Sequence, residues 1–252
     1  MPVVLWTDAL IYLLVGVVLL LAWHARGREH LRAPWRRVAC SRMGVASGTV
    51  LAAFLAIGLL DSVHFLPYVA RDAETGAEPA YSTEVISAFD WLMSPVRERV
   101  EKTYSAPLAT HAYTKEMIDL PAGRQIRDFP RLRYGGAHLA DPRDRWADIG
   151  HLTLAGVLEG LAVWTLVAAG LLALRAWRQG ERLAATAAAV WGGRTEVPWR
   201  TLLLTVAVLV ISASVLASVG VRYHVLGTDK VGQDVLYLSL KSRNGKQPAE
   251  LT

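Results

Sequence analysis

The sequence predicts a mostly α, polytopic membrane protein with about four transmembrane helices and a mixed extracytoplasmic domain between the second and third. Three observations carry that expectation. Hydrophobic residues make up 53% of the 252 positions, and the mean hydropathy is +0.29. They are bunched into four runs, each near the roughly 20 residues that cross a bilayer; a soluble domain would disperse them. The positive charges, which give a net +5 and a pI near 9.5, are mostly arginines placed beside those runs. Such placement marks membrane sidedness, whereas a nucleic-acid-binding protein would gather its bases on one soluble face. The single cysteine, Cys40, excludes an internal disulfide and a cysteine-based metal site.

The first span is expected over residues 4–23. Trp6 and Trp23 lie near its two ends, where indole rings favour the headgroup region. No basic segment precedes the run and no small-residue cleavage site follows it, so it reads as a retained span and not a signal peptide. Asp8 falls at its outer margin and is expected to be solvated. The next stretch carries Arg26, Arg28, Arg32, Arg36, Arg37 and Arg42 against a single Glu29. Short arginine-rich loops stay cytoplasmic; a lipid- or nucleic-acid-binding role is the lesser reading. The second span is expected over 43–60, extending to Phe65. It is rich in small residues that allow close helix approach, and Asp61 and His64 stand at its far end as interfacial polar residues.

Residues 66–148 are polar and proline-rich, with no apolar run long enough to span. Alternation of sides puts them outside. Val85, Phe89, Leu92 and Met93 at helical spacing predict an amphipathic helix near 82–103, which Pro95 either interrupts or follows with a second helix through Glu101. Residues 120–124 read as a turn between short strands. His111 and His138, with Tyr104, Tyr113, Lys115 and Glu116 near the first, make no metal-ligand spacing and are expected to be solvated surface residues. Neither a phosphate-binding glycine loop nor a G-x-S-x-G elbow is present.

The third span is expected over 151–174. It contains Glu159, an acid that in a bilayer invites a functional reading. Its place two turns from the outer end favours a helix-packing or water-facing role, beside His151 or Thr153. Arg175, Arg178, Arg182, Arg194 and Arg200 then outnumber Glu181 and Glu196, so this loop is cytoplasmic too, with a short alanine-rich helix over 181–191. The fourth span, 202–219, leads back out. The chain thus divides into a helix pair with a basic loop (1–65), a periplasmic domain (66–148), a second helix pair with a basic loop (149–220), and a periplasmic segment with a polar tail (221–252).

That last segment opens with the densest run of special residue types in the chain: His224-Val225-Leu226-Gly227-Thr228-Asp229-Lys230-Val231-Gly232-Gln233-Asp234-Val235-Leu236. Gly227 and Gly232 permit turns at positive φ. Thr228 or Asp229 can cap a helix, and Asp234 can accept nearby backbone donors. The local reading is a shaped turn leading into an interfacial helix over 231–241.

The run resembles the L-G-T-D-x-x-G-[RQ]-D-V-[LF] motif, with a preceding His-x-L, of the C-type permease subunit of bacterial dipeptide/oligopeptide ABC importers. The resemblance covers about thirteen residues. It implies an inner-membrane, multi-pass location with this motif on the periplasmic side; the alternation of spans and arginine-rich loops puts the N- and C-termini there too. The implied partners are a companion permease subunit, cytoplasmic ATPase subunits and a periplasmic solute-binding protein. It assigns His224, Gly227, Thr228, Asp229, Gly232, Gln233 and Asp234 a structural part. No enzymatic activity, catalytic residue, cofactor or metal is expected.

Two departures stand out. Four spans and a large outer region precede the motif where one span is usual, resembling a longer-N-terminus subclass. The polar stretch after Lys241 stands where the family continues into further spans and its E-A-A…G coupling loop, so the expectation is an N-terminal portion lacking the conducting core. The competing reading is a stand-alone membrane accessory or sensor whose outer domain binds a ligand or partner. A membrane enzyme is the weakest reading, for want of an acid/base or nucleophile constellation.

Overall fold

Four helices are long and apolar enough to cross a membrane, and they set the architecture of the computed structural model, which describes residues 2–3, 6–69, 80–81, 84–120 and 124–241. The chain begins with strand β1 (Pro2–Val3) and helix α1 (Trp6–Arg26). At 1.5 Å per residue, a 21-residue helix reaches about 31 Å, the thickness of a bilayer core. Helix α2 (Glu29–Cys40) carries the basic stretch. Ser41 then caps α3 (Arg42–Ser62), its hydroxyl accepting from the Gly44 N–H at 2.9 Å.

Beyond α3 the chain builds its polar unit. Strand β2 (His64–Phe65) pairs antiparallel with β1 on one side and with β5 (Ile86–Ser87) on the other. Strands β3 (Tyr68–Val69) and β4 (Ala80–Tyr81) form a second small pair. The helix expected near 82–103 starts only at Ala88 and, as expected, is divided beside Pro95, giving α4 (Ala88–Leu92) and α5 (Ser94–Arg97). Ser87 and Asp90 form a capping box that starts α4, and Pro95, without an N–H, opens a new helix. The helix does not continue through Glu101 because that residue's N–H donates to the Gly232 carbonyl at 2.9 Å. Strands β6 (Glu116–Leu120) and β7 (Arg124–Asp128) then make an antiparallel hairpin with Ile118 opposite Ile126. The turn expected over 120–124 falls between them, and residues 121–123 lie outside those described.

A 3-10 turn (Pro142–Asp144) leads into α6 (Arg145–Gln179). The helix begins before the span expected at 151–174 and ends after it, because nothing near either boundary breaks it. Asp148 sits favourably in the first turn, and the end comes only at Gly180, in the left-handed region at φ 68°. About 52 Å long, α6 outreaches the bilayer, and Trp146 and Trp177 stand exposed near its two ends. Helix α7 (Leu183–Trp191) is the expected alanine-rich one; α8 (Trp199–Gly220) follows, and α9 (Val235–Leu240) is the last among the described residues.

Helices α6 and α8 form the closest seam. A Cβ on Gly156 would stand 2.7 Å from Val215 Cα, and one on Gly160 2.8 Å from Ile211 Cα. Small residues four apart thus let two backbones touch where no hydrophobic effect drives helices together. Lower on the seam, the Trp164 indole donates to the Leu203 carbonyl at 2.9 Å. Ala168, Leu172, Val190 and Leu203 bury one another there, closing α7 over the helix pair. Glu159 meets Ser218 of α8 at 3.4 Å, and not His151 or Thr153.

The two ends of the bundle are each tied across the sequence. On one side, Arg36 reaches Glu196 at 3.3 Å, so both arginine-rich loops share a face. On the other, residues of 101–139 interlace with 222–241. Asp8 is buried and not solvated, because His64 meets it there at 2.9 Å, and the Tyr12 hydroxyl donates to the Ser62 carbonyl at 2.8 Å, fastening α1 to α3.

Candidate functional site

The segment after α8 folds back onto the polar unit as a hooked loop closed by α9. Gly227 lies at φ 77° and Gly232 at φ 81°, both in the left-handed region. Neither has room for a side chain: a Cβ on Gly227 would strike the Ser105 carbonyl, and one on Gly232 the Glu101 carbonyl. Both glycines therefore serve conformation and close approach together. Asp229 turns the hook, its Oδ1 accepting from the N–H groups of Val231 and Gln233, both at 2.9 Å. The Asp229 N–H donates in turn to the Gln233 carbonyl. Buried Thr228 donates its hydroxyl to the Thr103 carbonyl at 2.8 Å and lies 3.0 Å from Ser105 Oγ.

Asp234 is the cap. Its Oδ1 accepts from Leu236 N at 2.8 Å and Tyr237 N at 3.4 Å, which starts α9 at Val235. The helix expected over 231–241 is thus shorter, because Gly232 holds a left-handed turn that no α-helix accommodates. Neither Thr228 nor Asp229 caps it.

The other oxygen of Asp234 faces His224 Nδ1 at 2.8 Å, and His224 Nε2 faces Glu101 Oε1 at 3.3 Å. All three side chains are buried, at 3%, 1% and 3% exposure for His224, Asp234 and Glu101. Glu101 also accepts from the backbone N–H groups of Arg133 and Tyr134, at 2.8 Å each, and Gly135 at 3.1 Å. Burial by itself would raise the Glu101 carboxyl, yet the His224 ring and these three donors outweigh it and hold the carboxyl down at about 2. Burial would likewise lower the His224 ring, but hydrogen bonds to Asp234 and Glu101 and their charges push it up to about 9. At neutral pH this is an imidazolium donating to two carboxylates, with no ring lone pair left to bind a metal or accept a proton. Among the described residues, no group of three or more His, Cys, Asp or Glu could hold a metal ion.

Two flanking clusters brace this clasp. Asp90 accepts from the Tyr237 hydroxyl at 2.5 Å, from Lys241 Nζ at 3.0 Å and from the Ser87 N–H at 3.2 Å. The Ser87 hydroxyl passes the network on to Asp61 at 3.1 Å. Burial would raise Asp90, but Lys241, Tyr237 and the Ser87 N–H bring it below the usual carboxylate range. Lys241, which burial would lower, is raised by Asp90 and Tyr237. The Tyr237 ring stacks on Phe89 with centroids 6.2 Å apart. Tyr237, Phe89 and Val96 form a small core, with Ile57 of α3 against it. At the second cluster, Tyr223 donates to Asp148 at 2.7 Å, and His138 meets the same oxygen at 2.8 Å. His138 is exposed, as expected of a surface residue, yet its ring is held by Asp148. His111 is also engaged, 3.0 Å from the Thr110 hydroxyl.

The structure thus gathers His224, Gly227, Thr228, Asp229, Gly232, Gln233 and Asp234 into one hook, Gln233 contributing its backbone. It adds Glu101, Asp90, Tyr237 and Lys241, which sequence reasoning did not single out. For Asp90 a signal existed: Ser87-x-x-Asp90 is a capping-box pattern. For Glu101 there was none, since an isolated acid in a polar stretch looks solvated.

No known family model matches this chain, and neither a curated protein nor a solved structure is significantly similar to it. The fold by itself defines a class: a mostly α, multi-pass membrane protein with small sheets.

Proposed function

We propose that the chain is an inner-membrane permease component of a bacterial ABC importer for peptides or related solutes, and that these residues form its N-terminal scaffold. One observation carries the reading. The stretch similar to the family's H-x-L-G-T-D-x-x-G-Q-D motif closes into a single buried clasp on Glu101, and its glycines, aspartates, threonine and histidine each satisfy a specific backbone or charge requirement. A chance match of residue types would not be used so completely. On this reading both arginine-rich loops face the cytoplasm, and the clasp and the N-terminus face the periplasm. The side chains do no chemistry of their own. A companion permease subunit, cytoplasmic ATPases and a periplasmic binding protein complete the transporter.

Affinity purification of the tagged chain from its host's membranes, with mass spectrometry of what accompanies it, tests this. A companion permease subunit and an ABC ATPase are expected in near-stoichiometric amounts. A preparation containing the chain without ABC components, but retaining a small solute on its outer unit, would overturn it in favour of a sensor or accessory protein.

A further inference from the structure

Arginines crowd the face of the bundle opposite the clasp. A cavity of about 640 Å³ lies between the end of α1 and α2, lined by Arg26, Gly27, Glu29, Arg36, Arg37 and Cys40, with Ala33 at its wall. Three guanidinium groups thus meet one carboxylate. Arg36 spends its charge on Glu196 in an exposed, water-screened pair. Neither Arg26 nor Arg37 pairs with a carboxylate among the described residues. The helix itself is two-sided. Leu31, Trp35 and Val38, at i, i+4 and i+7, form an exposed apolar stripe, and Glu29, Arg36, Arg37 and Cys40 lie on the opposite face. Such a helix rests at a membrane interface, and its position directly after a span sets the cavity at the level of phosphate groups.

We propose that this cavity binds a phosphate-bearing anion. Guanidinium forks match phosphate oxygens in a bidentate geometry, and the volume falls within the range of sites that take small ligands. An anion there would neutralise the excess positive charge that α1 and α2 bring together. The phosphate can come from an anionic lipid headgroup or from solution.

Cys40, the chain's sole cysteine, lines the cavity and reports on it without mutation. The full chain is placed in nanodiscs, and the rate of Cys40 alkylation by neutral N-ethylmaleimide is measured. One arm uses phosphatidylglycerol in phosphate-free buffer; the other uses phosphatidylcholine with and without millimolar inorganic phosphate. Bound anion is expected to slow alkylation several-fold. Protection confined to the first arm identifies the lipid headgroup as the source; protection by inorganic phosphate identifies the solution. Arg26→Gln with Arg37→Gln removes the protection, while Arg178→Gln, which deletes an exposed arginine outside the cavity, leaves it. Equal rates in all arms, or protection that survives the double substitution, overturns the proposal.

Discussion

The Glu101 carboxylate meets the His224 ring at 3.3 Å across 123 residues of sequence, and it is the point where the outer unit and the segment after the last span become one structure. A buried ion pair is weak evidence of net stability, but removing one partner leaves the other charge uncompensated and costs about 3–5 kcal/mol. Glu101→Ala is therefore expected to destabilise the detergent-solubilised protein by about that amount, and also to strand the N–H groups of Arg133, Tyr134 and Gly135. Thermal unfolding of Glu101→Ala, His224→Ala and the double variant measures the coupling. Additive losses would show that the two residues act independently.

Gly232→Ala is expected to be nearly as damaging, though it adds one methyl. A positive φ strains an alanine by about 1–3 kcal/mol, and the added carbon collides with the Glu101 backbone. Gly48→Ala in α3 is the control. Its new carbon meets nothing within 4 Å, and a helical alanine is favoured over glycine by about 0.5–1 kcal/mol. Limited proteolysis within 98–139 reads the difference: faster cleavage for the first variant, unchanged for the second.

The spans were legible because a bilayer imposes length and apolarity on each helix separately. So was the hook, whose glycines and aspartates act on backbone next to them in sequence. The clasp's other half was not. Glu101 acquires its role only when Gly232 and His224 arrive from the far end of the chain, and no local pattern marks it. The same holds for Asp90, where the capping box was readable but the contacts to Tyr237 and Lys241 depend on where α9 docks. The helix over 231–241 is shorter than expected because Gly232 takes a left-handed turn and Asp234 caps the helix only from Val235. The close approach at Gly156 and Gly160 was not singled out either: the small residues read that way lie in α3, where a Cβ on Gly48 or Gly58 would meet nothing within 4 Å.

Stability should depend on pH through the clasp. His224 is raised from 6.5 to about 9, so its contribution is complete below pH 6.5 and is lost as pH climbs through about 9. Glu101 is lowered from 4.5 to about 2, so its contribution is complete above pH 4.5 and is lost as pH falls through about 2. The two shifts describe one interaction. Asp90 is lowered and Lys241 raised, so that cluster stays charged across the window. The unfolding temperature is expected to plateau between pH 4.5 and 6.5 and to decline toward pH 9. In Glu101→Gln the His224 ring keeps only Asp234, so the alkaline decline should start from the same pH but end at lower pH, with a smaller total loss. An identical alkaline limb in that variant would detach the pH dependence from the pair.

Sidedness gives a further expectation. Cys40 lies beside the arginine-rich loops and Lys230 on the hook, at opposite ends of α8's side of the bundle. In right-side-out vesicles, an impermeant thiol reagent should label Lys230→Cys in a Cys40→Ser background and spare the native Cys40. Inverted vesicles should reverse the pattern. Labelling of both from one side contradicts the four-span arrangement; the reverse assignment places the arginine-rich loops outside.

The α6–α8 seam is the remaining place where one atom decides the packing. Gly160→Leu would press a side chain onto Ile211 Cα and the Ser214 side chain, both already within 3.2 Å of a bare Cβ. Overpacking of this kind costs about 1–3 kcal/mol. Its effect should spread along the helix pair: separating the backbones at Gly160 pulls Trp164 from the Leu203 carbonyl and opens the cluster of Ala168, Leu172 and Val190. Gly170→Leu, on the same helix with nothing within 4 Å of its Cβ, should leave the seam intact. Cross-linking by a short bifunctional thiol reagent between Glu159→Cys and Ser218→Cys, whose native side chains meet across the seam, in a Cys40→Ser background, follows the separation directly: high yield alone or with Gly170→Leu, and strongly reduced yield with Gly160→Leu. Equal yields in all three would mean that the seam tolerates a larger side chain and is not set by backbone contact.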